Sequence, residues 1–302
     1  MKKNNFGNIT WIDIENPQKK DIERLKSDFN INSIISKQLL KRTPRPRVEK
    51  HKDQIFTVLH FPVFYPEKEE TWPTELDFII TKDTLITLHC EPIPYLDTFF
   101  NDCKLQKYHQ KKYFKNVDSL IFGLLAWLHE SCLPMLDHIS EKIEEVENNS
   151  FKGKEKEMLW RIATVKKDLI DFRQSIKPQP HVLNILSKKV KKFFNRKSNH
   201  KAREVISSCN KVWDILEDHW EWINSIEQTN NSLLSYKLND TMRFLTALSF
   251  IMFPLSIIVG FFGMNFKFSF LSDKPQAWMY ILASMVFLTI IMLVFFKKKK
   301  WI

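Results

Sequence analysis

The chain has 302 residues, 27% of them charged, and a formal net charge of +11. Its mean hydropathy is slightly negative, −0.29, so most of it faces water, yet apolar residues crowd toward the C-terminus and divide it between two environments. Four scattered cysteines, Cys90, Cys103, Cys132 and Cys209, form no CxxC pair; they exclude a zinc knuckle and a dithiol redox centre and suit a reducing cytoplasm.

The polar stretch Met1–Asn8 lacks the apolar core of a secretory signal. Ile9–Ile14 reads as a strand, and Asn16-Pro17 as a helix start with Asn16 as N-cap and Pro17 at the first helical position. Ile22, Leu25 and Phe29 then share a helical face. Ile55–Phe61, Leu76–Thr81 and Leu85–His89 are rich in β-branched and aromatic residues, and Lys82-Asp83-Thr84 joins the last two as a hairpin. The first third is therefore a small sheet with helices packed on it.

From Val117 onward the pattern is helical. Ile139, Ile143 and Val146 alternate with Glu141, Glu144, Glu145 and Glu147, Gly153 breaks the run, and a second helix spans Glu155–Ile176 before Pro178 and Pro180. The pair predicts an antiparallel hairpin with an acidic tip. No Gly or Pro occurs from His181 to Phe253, and Val205, Val212, Leu216, Trp220 and Ile223 recur at steps of three, four and seven. One helix from Lys201 to Gly263 follows, roughly 90 Å long at 1.5 Å per residue; its stripe calls for neighbouring copies.

Phe244–Phe262 and Trp278–Phe296 carry no charge, and each is long enough to cross a hydrocarbon core of about 30 Å. Lys297–Lys300 and Trp301 form a basic, aromatic stop. Lys237, Arg243 and the terminal lysines outweigh the connecting segment, which holds only Lys267, Asp273 and Lys274, so both termini are expected in the cytoplasm. Two spans cannot enclose a hydrophilic path, so conduction requires a homo-oligomer in membrane lipid. Thr246, Ser249, Phe253, Ser256 and Gly260 form a small, mostly polar strip that serves either a pore or helix packing; the second span is bulky and apolar nearly all round.

After the first span stands Phe262-Gly263-Met264-Asn265-Phe266. With this motif between two C-terminal spans, the chain resembles the CorA family of divalent-cation transporters, whose signature is Gly-Met-Asn at this place. Trp11-Ile12-Asp13-Ile14, Asn16-Pro17, Arg45-Pro46-Arg47-Val48-Glu49, the strands around Phe56–Pro62 and Leu85–His89, Pro254 and the Lys-Lys-Lys-Lys-Trp ending carry the same resemblance. It implies a pentamer that carries Mg²⁺, or Co²⁺ or Ni²⁺, with Gly263, Met264 and Asn265 as selectivity filter. It also implies a pore face of Asn239, Met242, Leu245, Ser249, Phe253, Ser256 and Gly260, in which Met242 and Leu245 serve either as a hydrophobic gate or as bundle packing. Mg²⁺ holds its water shell tightly, and the amide oxygen of Asn265 can accept hydrogen bonds from that shell. Gly263 would let the backbone turn out of the helix.

Many family members follow the motif with Met-Pro-Glu-Leu; here Lys267-Phe268-Ser269-Phe270-Leu271-Ser272-Asp273-Lys274-Pro275 stands instead, without a glutamate. The zinc-transporting branch also lacks that acidic loop but usually alters the Gly-Met-Asn motif. The resemblance further implies closure by internal Mg²⁺ bound between subunits, with Glu204, Asp214, Glu217, Asp218, Glu221 and Glu227 of the stalk as carboxylates available for it. A membrane-anchored metal sensor that does not conduct is the alternative class.

The basic stretch Lys188–Lys201 suits an anionic leaflet or acidic helices better than nucleic acid. Only five glycines are present, no phosphate-cradling loop occurs, and neither HExxH nor GxSxG is found, so neither a nucleotide site nor an enzyme is expected. The expected organisation is a cytoplasmic α/β domain (1–116), a helical hairpin (117–200), a stalk (201–243), a pore-lining span (244–262), an external loop (263–277), a second span (278–296) and a basic cytoplasmic tail (297–302).

Overall fold

A computed structural model describes residues 1–43, 45–65, 70–150, 152–196, 200–264 and 276–301. The chain forms two compact units, Met1–Glu227 and Gln228–Ile302.

The first unit is built on a six-stranded sheet: β1 (Lys2–Phe6), β2 (Ile9–Glu15), β3 (Arg47–His51), β4 (Gln54–Tyr65), β5 (Glu70–Ile80) and β6 (Thr84–His89), in the order β1-β2-β6-β5-β4-β3. Among the described strands, only β2 and β6 run parallel. Side chains alternate across the sheet, so neighbours such as Trp11 and Ile12, or Leu85 and Ile86, enter opposite cores. One face carries Ile12, Val58, Ile79 and Leu88 and is covered by α1 (Lys19–Phe29) and α2 (Ser33–Gln38) through Ile22, Leu25 and Ile35. The other carries Trp11, Leu59, Phe78 and Leu85 against the later helices.

Those helices are α3 (Pro94–Leu105), α4 (Lys107–Tyr113), α5 (Val117–Glu130), α6 (Leu133–Ser150), α7 (Glu155–Ile176), α8 (Gln179–Phe193) and α9 (His200–Gly263). α7 matches its predicted bounds, and α9 starts one residue before Lys201. α5 is apolar enough to invite a third membrane span with α6, but 67% of that window is buried in the domain, so it is a core helix.

Some local expectations are corrected. α1 starts at Lys19 with Gln18 as N-cap. The Gln18 N–H donates to Asp21 Oδ2 at 3.0 Å, whereas Asn16 is left-handed at φ 50° and gives its own N–H to His89 O. β1 and β3 had no sequence signal. Both are polar edge strands, each paired on one side only, so no buried face imposes alternation on them. Acidic residues lie along α6 instead of capping the hairpin, whose tip holds Lys152 and Lys154. α8, unpredicted as a separate helix, begins at Gln179 with Pro180 in its first turn, where a missing N–H costs nothing.

The second unit pairs the C-terminal part of α9 with α10 (Ala277–Lys298). Ala247 and Ile251 of α9 pack on Phe296, with Leu255 and Met292 beside them.

Candidate functional site

Helix geometry sets the membrane unit. At about 100° per residue, Ala247, Ile251 and Leu255 share one side of α9, and this is the side that α10 covers. Met242, Leu245, Ser249, Phe253, Ser256, Gly260 and Gly263 fall within an arc of about 80°, centred roughly opposite. All seven are exposed in the single chain, as are Asn239 and Met264. Asn239 lies about 40° beyond the end of the arc. Asn265 lies outside the described residues.

Three hydroxyls on this stretch of the helix are already spent as donors. Thr246 Oγ1 donates to Met242 O at 2.7 Å, Ser249 Oγ to Leu245 O at 2.9 Å and Ser256 Oγ to Met252 O at 3.0 Å. A hydroxyl bonded back to its own helix needs no partner in lipid, and its remaining lone pairs can only accept. Water bound to a cation can only donate. Ser249 and Ser256 therefore present only acceptor lone pairs on this exposed face.

Gly263 is the last helical residue of α9 and is not left-handed; a Cβ on it, or on Gly260, would meet no described atom. Neither glycine is demanded by backbone conformation within a single chain. Pro254 removes one helical donor, freeing the carbonyl of Phe250, and is half-buried beside the α10 face.

In the first unit, α9 is held to the α6–α7 hairpin by a mixed clasp. The Arg173 guanidinium stacks over Trp213 at 5.3 Å and Trp220 at 4.8 Å and pairs with Glu217 at 2.8 Å. Lys166 Nζ sits 5.2 Å from the Trp220 ring and 2.7 Å from Glu227, and Trp222 Nε1 donates to Glu147 at 3.1 Å. Two of the six stalk carboxylates are thus engaged inside the domain, while Glu204, Asp214, Asp218 and Glu221 are exposed. Among the described residues, no three His, Cys, Asp or Glu side chains gather to hold a metal. The basic stretch is partly used internally too: Lys189 donates to Val48 O at 2.7 Å, and Arg196 lies 3.5 Å from Asp118.

The family-like segments around Trp11 and His89 form a buried network. Trp11 Nε1 donates to Thr87 Oγ1 at 3.0 Å, which donates to Asp13 Oδ1 at 2.6 Å. His89 Nε2 lies 3.5 Å from the same oxygen, both side chains fully buried. Burial opposes the charged imidazole, but the Asp13 carboxylate, the Glu91 carbonyl and the Glu15 charge together outweigh it and raise the His89 pKa. Across the sheet, a cavity of about 540 Å³ is lined by Arg42, His60, Glu75, Cys90, Glu91 and Gln174, among others. Burial lifts the Glu75 carboxyl above its usual range. Sequence reading missed the Arg173 and Lys166 clasp, because two basic residues on α7 gain meaning only once Trp213 and Trp220 face them.

The profile of the family described as CorA-like Mg2+ transporter protein matches residues 6–298. The cobalt/magnesium transport protein CorA of Thermotoga maritima is 26% identical over 97% of this chain and 83% of its own length. The protein of the same description from Methanocaldococcus jannaschii is 24% identical over 97% and 92%. The complete structure of the CorA magnesium transporter from Methanocaldococcus jannaschii superposes with a TM-score of 0.84 at 22% identity, covering 100% of this chain and 95% of that one. With nearly its whole length matched, and with a sheet domain, a long helix and a two-helix apolar unit in the family's order, this chain belongs to the CorA-like Mg2+ transporter family.

Proposed function

We propose that the chain is one subunit of a homo-oligomeric membrane transporter that carries Mg²⁺ along the free face of α9. The observation that carries this reading is the opposition of two α9 faces: Ala247 and Ile251 pack on α10, and the acceptor-bearing arc of Ser249 and Ser256 points away from it. The relatives described as cobalt/magnesium transport proteins support a divalent cation as cargo. Asn265 serves as the filter, holding the ion through its water shell, with Gly263 and Met264 beside it. Asn239, Met242, Leu245, Phe253 and Gly260 complete the pore face, and a hydrophobic ring of Met242 and Leu245 gates it by dewetting.

Five copies surround the axis, both termini lie in the cytoplasm, and the two spans are 244–262 and 278–296. The chain catalyses no reaction; the membrane potential drives influx, worth about 2.3 kcal/mol per charge per 100 mV. Internal Mg²⁺ bound between subunits closes the pore.

The test is Mg²⁺ influx into proteoliposomes with the unaltered chain and with Asn265→Ala, run in parallel with Co²⁺, Ni²⁺ and Zn²⁺. Influx that is lost in the variant supports the reading. Zn²⁺ entry without Mg²⁺ entry moves the chain to the zinc-transporting branch. Silence for every ion makes it a non-conducting sensor.

A further inference from the structure

His129 stands in the last turn of α5, wholly buried. Its Nδ1 lies 2.6 Å from Leu125 O and its Nε2 lies 2.8 Å from Gln179 Oε1. The orientation of the Gln179 amide is not free. Its nitrogen donates to His60 O of β4 at 2.7 Å and to Ser175 O of α7 at 3.1 Å. Reversing the amide would turn its oxygen against two carbonyl oxygens that can only accept. The oxygen of Gln179 therefore faces His129, and both ring nitrogens face acceptors.

A neutral imidazole carries one N–H and cannot donate to both. Only the imidazolium satisfies the pair. We infer that His129 is a proton-responsive joint between α5, the start of α8 and strand β4, with one contact open when the ring is neutral and both closed when it is charged. The open contact is the one to Gln179, because Leu125 O belongs to the α5 backbone and cannot swing away, whereas a side-chain amide can.

Burial pulls the His129 pKa below the ordinary imidazole value, and the two carbonyls oppose that pull. The negative end of α5 adds to the favourable side. Titratable groups on the surrounding elements are Glu130 of α5, Cys132 before α6, His60 of β4, Arg173 of α7 and His181 of α8. Among the described residues none of them hydrogen-bonds the ring, and Phe61 supplies only an edge contact at 5.5 Å. No carboxylate neutralises the charge, so protonation closes the joint at a net cost to the fold. A depressed folded pKa contributes stability at neutral pH that is lost as pH falls through that pKa.

The experiment uses the full chain in lipid vesicles and amide hydrogen exchange corrected for its intrinsic pH dependence. Between about pH 8 and about pH 5, spanning the imidazole range, peptides covering 179–186 are expected to lose protection several-fold, because the opened chain binds the proton more readily than the buried ring. In Gln179→Met, which leaves the charged ring with the Leu125 carbonyl alone, that loss should be larger. Imidazole ¹⁵N spectra supply the second readout: the buried ring whose signal is missing in His129→Gln, and which is thereby told apart from His89, should change from one protonated nitrogen to two. A His129 ring with a single protonated nitrogen at both pH values would overturn the inference, as would an exchange response that is unchanged in Gln179→Met. Should the variant fail to fold, the ¹⁵N spectra decide alone.

Discussion

At the scale of single residues, the buried pair of Asp13 and His89 gives a signed pH prediction. The folded pKa of His89 is raised by Asp13. Its stabilising contribution is therefore full below the ordinary histidine value and fades as pH rises through the folded value. Asp13→Asn should remove most of that component and, at pH values where His89 is charged, cost about 3–5 kcal/mol by breaking a fully buried pair. Denaturant titrations at several pH values check both; a variant that keeps the wild-type pH profile would show that another group is responsible. Gly123 gives a steric counterpart. A Cβ there would collide with the Tyr113 ring of α4, so Gly123→Ala should destabilise by about 1–3 kcal/mol through overpacking, read as a lowered midpoint. Asp13 and His89 stood inside segments that resembled the family, so their importance was legible. Their contact was not, because they lie on strands adjacent in the sheet but far apart in sequence.

Among the elements, the clasp between α7 and α9 depends on aromatic faces as much as on charge. Stacking of a cation on tryptophan contributes about 0.5–2 kcal/mol as desolvation increases. A double-mutant cycle of Arg173→Met and Trp220→Leu should therefore give a coupling energy of roughly 1 kcal/mol. Additive single effects would reduce the arrangement to ordinary packing. α9 supplies a second test through its two faces. Ala247 is fully buried against α10, so Ala247→Phe should overpack that contact and reduce the yield of folded protein in detergent size-exclusion profiles. Leu248→Phe, on an exposed flank of the same turn, should leave the profile unchanged. The periodicity that revealed α7 and α9 was strong because one face of each is apolar over many turns. α8 was hidden because its basic C-terminal half blurred into the stretch before α9.

For the whole molecule, the transporter reading requires several copies, since a single pair of apolar helices per chain would leave any polar path open to lipid. Light scattering of the full chain in detergent should give one species of several subunits; a monomer under conditions that preserve ion flux would sink the pore. The chain by itself determined the class of its elements. A pair of uncharged runs must seek lipid, a 3.6-residue stripe must become a helix, and alternating β-branched residues must become strands, because each pattern follows from local geometry and the cost of hydrating apolar surface. The family was legible for the same local reason, a short motif at a defined place between two spans. Tertiary structure alone decided which polar groups meet: α10 on the Ala247 side of α9, Arg173 between two tryptophans, and His129 between two carbonyls. Such contacts join residues distant in sequence, and their energies depend on burial and on the direction of individual lone pairs, neither of which leaves a periodic trace in the chain.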